Sequence, residues 1–430
     1  FVLNGKTQEV EILTLEDCLR IGIDNNLSLE GKRKEIQKSK YGVSENRSKL
    51  LPQINAIAGY NNNFDPPVSV TDGSSYGVPY NITKTLQHSA NAGLEMQMPL
   101  FNQTLYTSMS IAKVMEEISR LSYGKAREDV ILQISKMYYL GQVTAEQIML
   151  IKANITRLEE LRDITQAFFD NGMSMEVDLK RVNINLENLK VQYDNAQAMM
   201  KQQLNMLKYI MDYPAEKEIA LTPVNTDSIT TVALTGLSEN IYELQLSQSQ
   251  VQLAERQKKI ITNGYIPSLS LTGSWRYAAY TDKGYHWFHS GPSNQWFRSY
   301  GVGLTLRIPI FDGLDKTYKI KKAMIDIENK RLAWEDARKN LQTQYLNAVN
   351  DLMNNQRNFK KQKDNYLLAE DVYAVTSDRY REGIASMTEV LQDEMQMSEA
   401  QNNYISAHYN YRVTNLMLLK LTGQIESLVK

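Results

Sequence analysis

The chain has 430 residues, with 48 Lys and Arg against 49 Asp and Glu for a formal net charge of −1. Charges this balanced leave no basic field for nucleic acid, and the single cysteine, Cys18, allows neither an intrachain disulfide nor a cysteine metal cluster, so it reads as a small buried helix residue. No apolar run reaches the roughly 18 residues of a membrane-crossing helix, and a start at Phe1 without a signal peptide suggests a mature or trimmed product.

In chain order, residues 1–13 are short and mixed. Thr14 with Asp17 three positions on is a capping box, opening a helix that runs towards Leu50 with a break expected near Asn25 and Asn26 and an end at Pro52. A strand at 52–61 and a loop with Pro66, Pro67, Gly73, Gly77 and Pro79 come next. The strand at 86–100 alternates cleanly: His88, Ala90, Ala92, Leu94, Met96 and Met98 face one way, Ser89, Asn91, Gly93, Glu95 and Gln97 the other. Beyond Pro99 a proline-free helix spans 103–170, a glycine turn follows at Gly172, and a second helix covers 175–211. One helix of about 68 residues is roughly 100 Å long at 1.5 Å per residue.

Pro214 and Pro223 mark an irregular linker at 213–235. The plan then repeats within 236–422: a helix from Leu237 to Thr262, strands at 267–280 and 296–310 joined by an aromatic loop, a long helix at 315–382, a turn at Gly383, a helix at 386–421, and a tail at 423–430. The first repeat occupies 1–212. Pro309 stands 210 positions after Pro99, and Gly383 stands 211 after Gly172. No proline falls inside either long helix, where each would cost about 3 kcal/mol. The repeat is therefore a long pseudo-symmetric duplication and not a short-period solenoid.

Along the second long helix Tyr345, Leu352, Phe359, Tyr366, Tyr373 and Tyr380 recur every seven residues. A strict heptad position requires a facing helix, while the other seam mixes Leu341, Ala348 and Ala369 with Asn355, Gln362 and Thr376. The first long helix steps in the same manner through Ile148, Ile151, Ile155 and Leu158. These stripes are read as helix packing without a ligand. The short leading helices supply the length that each returning helix lacks, which makes each repeat an antiparallel hairpin with all four strands at one end.

Three of the four strands carry one apolar and one small polar face over a length that can cross a bilayer when tilted. Trp275, Tyr277, Trp296 and Tyr300 are candidates for the aromatic belt at the membrane interface. Four strands cannot close a barrel, and open edges are not tolerated in lipid. A membrane barrel must then be shared: two copies give eight strands, three give twelve, and a wet lumen suits the Gly, Ser, Asn and Thr of the polar face. The alternative is a soluble sheet edge with attached helices.

The duplicated order, Leu13-Thr14-Leu15-Glu16-Asp17, Ile266-Pro267-Ser268-Leu269, Pro309-Ile310-Phe311-Asp312-Gly313 with its counterpart Pro99-Leu100-Phe101-Asn102, and Arg379-Tyr380-Arg381-Glu382-Gly383 together resemble the TolC-type outer membrane efflux proteins over essentially the whole chain. The resemblance implies a mainly α protein with transmembrane β-structure: a homotrimer whose twelve-stranded β-barrel in the outer membrane continues as an α-helical coiled-coil tunnel in the periplasm of a Gram-negative bacterium. It implies an exit duct of a tripartite efflux or type I secretion system. Its partners would be outer membrane lipid, a periplasmic adaptor and an inner membrane pump of the RND, ABC or MFS class. By the same resemblance Asp178, Tyr380 and Glu389 belong to the periplasmic aperture, and Gly172, Met173, Ser174, Gly383, Ile384 and Ala385 form the adaptor-docking tips. The sequence departs from the family's best known pattern at Ala385, where arginine is expected, and at Gln392, where a second aspartate is expected. Solvated helix-surface charges remain the other reading of Asp178 and Glu389.

Two rival functions are open to the residues alone. A non-transporting coiled-coil stalk or adhesin could use the same shared barrel. An enzyme finds little support: His286 and His289 beside Asp282 could suggest a metal, but no cofactor loop or nucleophile motif accompanies them.

Overall fold

The computed structural model describes residues 10–223, 236–282 and 295–429. In order the elements are β1 (Glu11–Leu13), α1 (Leu15–Asn25), α2 (Leu27–Ser48), β2 (Gln53–Asn62), β3 (Val68–Asp72), β4 (Tyr80–Lys84), β5 (His88–Phe101), α3 (Gln103–Asp170), α4 (Glu176–Met211), β6 (Ile219–Leu221), α5 (Tyr242–Asn263), β7 (Ser268–Thr281), β8 (Trp296–Arg307), α6 (Asp315–Arg381) and α7 (Met387–Leu421). His286, His289 and most of the aromatic loop and of the 213–235 linker lie outside the described residues. The chain divides into a helical unit (1–36, 119–248, 332–430) and a sheet unit (37–118, 249–331), so each compact unit draws on both sequence repeats.

In the helical unit, Thr14 caps α1 as its sequence foretells: its hydroxyl accepts from Asp17 N–H at 3.1 Å, and the Asp17 carboxylate accepts from Thr14 N–H at 3.2 Å. The expected break falls at Asn26, whose backbone N–H makes the last bond of α1, to Gly22 O at 3.0 Å, and whose side chain starts the next helix. Its Nδ2 donates to Ile210 O at 2.8 Å, and its Oδ1 accepts from Leu29 N–H at 3.1 Å. Leu19, Ile131, Ile134, Leu207 and Met211 then bury one apolar face of α1 between α3 and α4. Cys18 is fully buried in the same core, which pushes its thiol up to about 12. Gly22 makes room for the Ile134 side chain, whose Cδ1 would stand 2.2 Å from a Cβ at that position.

The heptad stripe of α6 does face a helix. Phe359 stacks on Tyr404 and Tyr411 of α7 at ring separations of 5.8 and 5.7 Å, and Tyr366 stacks on Tyr404 at 5.6 Å. Tyr373 and Tyr380 are buried with Ile151 and Leu158 of α3. Polar pairs interrupt this core: Asn154 and Gln401 meet at 2.7 Å, and Arg157 reaches Glu370 at 3.1 Å.

Two features of this unit differ from the sequence expectation. The 213–235 segment is not wholly irregular, since β6 pairs in parallel with β1. The helix expected from Leu237 begins at Tyr242: Asn240 N–H bonds back to Ser238 Oγ at 3.2 Å, and the Ile241 carbonyl takes the first helical bonds. The Ser238 side chain competes with helix for the backbone there. Within the C-terminal tail, Ile425–Val429 form a 3₁₀ turn with Ile425 fully buried.

In the sheet unit, β2, β5, β7 and β8 form one antiparallel sheet in that order, with β2 and β8 at its edges. The register puts Ile54, Ala56, Leu94, Met96, Leu271, Trp275, Tyr300, Val302 and Leu304 on one face and Asn55, Glu95, Gln97, Thr272, Ser274, Arg276, Gly301 and Gly303 on the other. β8 stops at Arg307, earlier than the expected 310, because Arg307 pairs with Ser268 and the next pair would set Ile308 against Pro267, which has no N–H to give. The stretch expected as a plain loop after β2 contains the amphipathic hairpin β3–β4. At the foot of the sheet Asn263 Nδ2 donates to Thr107 Oγ1 at 2.6 Å, tying α5 to α3.

Candidate functional site at the helical hairpin tips

Both long helices end in the same turn. Gly172 and Gly383 take φ of +71° and +73°, the left-handed region that a residue with a Cβ enters at a cost. Met173 N–H bonds Phe168 O at 2.8 Å and Gly172 N–H bonds Phe169 O at 2.9 Å; Ile384 N–H bonds Arg379 O at 2.8 Å and Gly383 N–H bonds Tyr380 O at 2.9 Å. These paired bonds satisfy the last carbonyls of α3 and α6, so the two glycines are helix ends by construction.

The turns sit side by side and enclose a recess of about 650 Å³ lined by Phe168, Gly172–Met175, Asp178, Arg181, Tyr380–Gly383 and Ala385–Thr388. Of the expected site residues, Gly172, Met173, Ser174, Asp178, Tyr380, Gly383 and Ala385 meet here, while Ile384 points to solvent and Glu389 lies outside the lining. Tyr380 is buried, its ring 5.7 Å from that of Phe168. Its hydroxyl lies 3.3 Å from Thr165 Oγ1, which itself donates to Leu161 O at 2.7 Å. Thr165 has no second proton to give, so Tyr380 is the donor. Burial raises the tyrosine's pKa, and it remains a neutral phenol.

The two carboxylates at equivalent positions have different surroundings. Glu389 closes a capping box: it accepts from Ser386 N–H at 2.8 Å while Ser386 Oγ accepts from Glu389 N–H at 3.3 Å. Those bonds hold Glu389 below the usual carboxylate range. Asp178 occupies the corresponding third position of α4, but Met175 at the N-cap offers no side-chain bond. Its carboxylate instead accepts from Arg181 at 3.2 Å, and the same guanidinium lies 3.5 Å from Thr388 Oγ1 of α7. A second link, Arg381 to Glu160 at 3.4 Å, joins α6 to α3. Sequence reading did not single out Arg181, Thr165 or Glu160. Arg181 could have been found, being three residues past Asp178 on one helix face; Thr165 and Glu160 acquire their roles only when the two repeats meet.

The expected belt residues Trp275, Tyr277, Trp296 and Tyr300 lie on the apolar face of the sheet, Trp275 opposite Tyr300 and 5.5 Å ring to ring from Tyr277. They form one patch, with only Trp296 at a strand end. Asp282, the acidic member of the conceivable metal group, accepts from Gln87 N–H at 2.6 Å, and no cluster of three potential ligands occurs among the described residues.

The profile of the outer membrane efflux protein family matches residues 21–211 and 233–424, once over each repeat. The chain belongs to the outer membrane efflux protein family. The outer membrane protein TolC of Vibrio cholerae is 21% identical over 399 residues, covering 89% of this chain and 84% of that protein. The probable efflux pump outer membrane protein TtgC of Pseudomonas putida is 23% identical over 379 residues, covering 83% and 75%. Among solved structures, CusC, studied for conformational changes accompanying folding and transmembrane channel formation, superposes with a TM-score of 0.79 at 15% identity over 95% of this chain and 91% of that one. As a member of an outer membrane efflux family this protein is a channel of the Gram-negative outer membrane and an exit duct for efflux, not a member of an enzyme family. The four-stranded sheet of β2, β5, β7 and β8 is the transmembrane β-structure. No helix among the described residues is long and apolar enough to cross a membrane.

Proposed function

We propose that the protein acts as a homotrimer in which β8 of each copy pairs with β2 of the next, closing one twelve-stranded barrel, while the helices of the three copies form a periplasmic tunnel. The open edges of β2 and β8 carry this reading, together with an exposed apolar face on which Trp275, Tyr300, Val302 and Leu304 cannot remain in water without cost. A double variant with one cysteine in β2 and one at the facing position of β8 of the same chain, in a Cys18→Ser background, tests it. Oxidation in membranes should give covalent ladders that end at three subunits, and ladders ending at two would overturn the trimer.

The paired tips then serve as the aperture and docking end. The exposed Met173 and Ile384 beside the two glycine turns offer an apolar contact for a periplasmic adaptor, which would couple the duct to an inner membrane pump. The links from Tyr380 to Thr165, Arg181 to Thr388 and Arg381 to Glu160 are the bonds an adaptor must loosen to part the two hairpins. Photo-crosslinkers at positions 173 and 384 should capture the adaptor; capture only from positions on the sheet would refute the assignment.

A further inference from the structure

The polar face of the sheet carries little charge. Over β2, β5, β7 and β8 its charged residues are Glu95, Arg276 and, at the last residue of β8, Arg307. Glu95 and Arg276 are not directly opposed. The register sets Arg276 against Gly93 and Glu95 against Ser274, so the guanidinium crosses diagonally over a residue with no side chain and donates through Nη2 to Glu95 Oε1. Gly93 is fixed by the close approach of the β7 backbone, since a Cβ there would lie 2.4 Å from Trp275 O and 2.8 Å from Arg276 Cα. Gly301, opposite Ser274, and Gly303, opposite Thr272, keep the neighbouring surface low. The pair stands over a recess of about 550 Å³ whose other polar lining is Asn55, Gln97, Thr272 and Ser274. Both side chains stay roughly half exposed, and Arg276 Nε is buried with no hydrogen-bond partner among the described residues.

We propose that Glu95 and Arg276 set the charge preference of the barrel lumen, and that their pairing keeps this stretch near neutral so that solutes of either sign pass. The inference rests on reading the polar face as the lumen. A ring of carboxylates alone would favour cations and a ring of guanidiniums alone would favour anions. Side by side on adjacent strands, each offsets the other. The surrounding Ser, Thr, Asn and Gln give a passing solute hydrogen bonds without adding a sign.

Ser274 stands between the two charges, and a cysteine there reads the local potential without any need for an open channel. Ser274→Cys in a Cys18→Ser background, in intact outer membranes, is reacted with an anionic and a cationic methanethiosulfonate reagent, and the ratio of the two rates is compared across variants. Glu95→Gln should raise the anionic-to-cationic ratio by roughly threefold at 0.1 M salt, the scale set by one unit charge about 6 Å away in screened water, and Arg276→Gln should lower it by as much. Arg276→Lys, which keeps the charge and loses the fork, should leave the ratio near the parent value; a change as large as that of Arg276→Gln would mean packing and not charge, and would overturn the proposal. Ratios unmoved by Glu95→Gln and Arg276→Gln would also overturn it. A cysteine that reacts only after the membrane is dissolved would refute the lumen assignment itself, and the proposal with it.

Discussion

The two hairpin tips share a turn and differ in what flanks it. Three residues before its glycine, the second tip has Tyr380, buried and bonded to Thr165; the first has Phe169, which is 39% exposed. Six residues after its glycine, the second tip has Glu389 locked into a capping box, and the first has Asp178 turned towards Arg181 beside an uncapped helix start. A duplication supplied two copies of one device. The second copy became the fastened side and the first the side with a free helix end, which is an arrangement suited to a joint that must part at one place.

The largest test of this asymmetry removes the two aromatic rings. Tyr380→Ala should destabilise the tip by about 3–5 kcal/mol, as for other buried aromatic truncations. Phe169→Ala should stay within about 0.5 kcal/mol, as for exposed sites. Hydrogen exchange of the amides at 158–169 and 373–382 reads both, and equal losses would show the tips to be packed alike. Next in size are the caps. Ser386→Ala should weaken the start of α7 by about 1 kcal/mol, and Met175→Ser should strengthen the start of α4 by a similar amount. If Met175→Ser leaves exchange at 176–179 unchanged, the missing side-chain cap is not what distinguishes the first tip.

Acid should act on the same contrast more gently. Glu389 is held below its ordinary value in the folded protein, so its contribution to the cap is present above the unfolded value of about 4.3 and is lost as the pH falls through the lower, folded value. Protection at 387–390, taken relative to the intrinsic exchange rate at each pH, should therefore fall on acidification below about pH 4. Glu389→Gln should remove that acid step, and its persistence would place the titrating group elsewhere.

The tips also show how far residues alone can carry such a reading. Gly172 and Gly383 were legible because left-handed turns at the ends of proline-free helices want glycine, and the heptad tyrosines because a period of seven demands a facing helix. The sheet was legible from alternation in β5, β7 and β8. The parallel pair of β1 with β6 was not, since three residues each, some 200 positions apart, leave no periodic signal. The hairpin β3–β4 was hidden by the prolines and glycines around it. Glu389 was legible in a way that sequence reading passed over: Ser386 followed three residues later by Glu389 is a helix-start signature, and that pairing turns the carboxylate to the Ser386 backbone, outside the lining of the recess that holds Asp178.

The smallest expected effect decides what that difference means for conduction. Asp178 lines the recess with a side chain 15% exposed, and Arg181 beside it offsets part of its charge. If the recess is the aperture, Asp178→Asn should reduce cation preference in planar bilayers. Arg181→Gln should increase it, because the carboxylate is then left without its counter-charge. Glu389→Gln should leave it near the wild-type value, since that carboxylate is engaged with the backbone of Ser386 outside the lining. Equal shifts from Asp178→Asn and Glu389→Gln would mean that both carboxylates face the permeating ion, and that the cap at Ser386 opens when the channel does. The fastened side would then be the moving one.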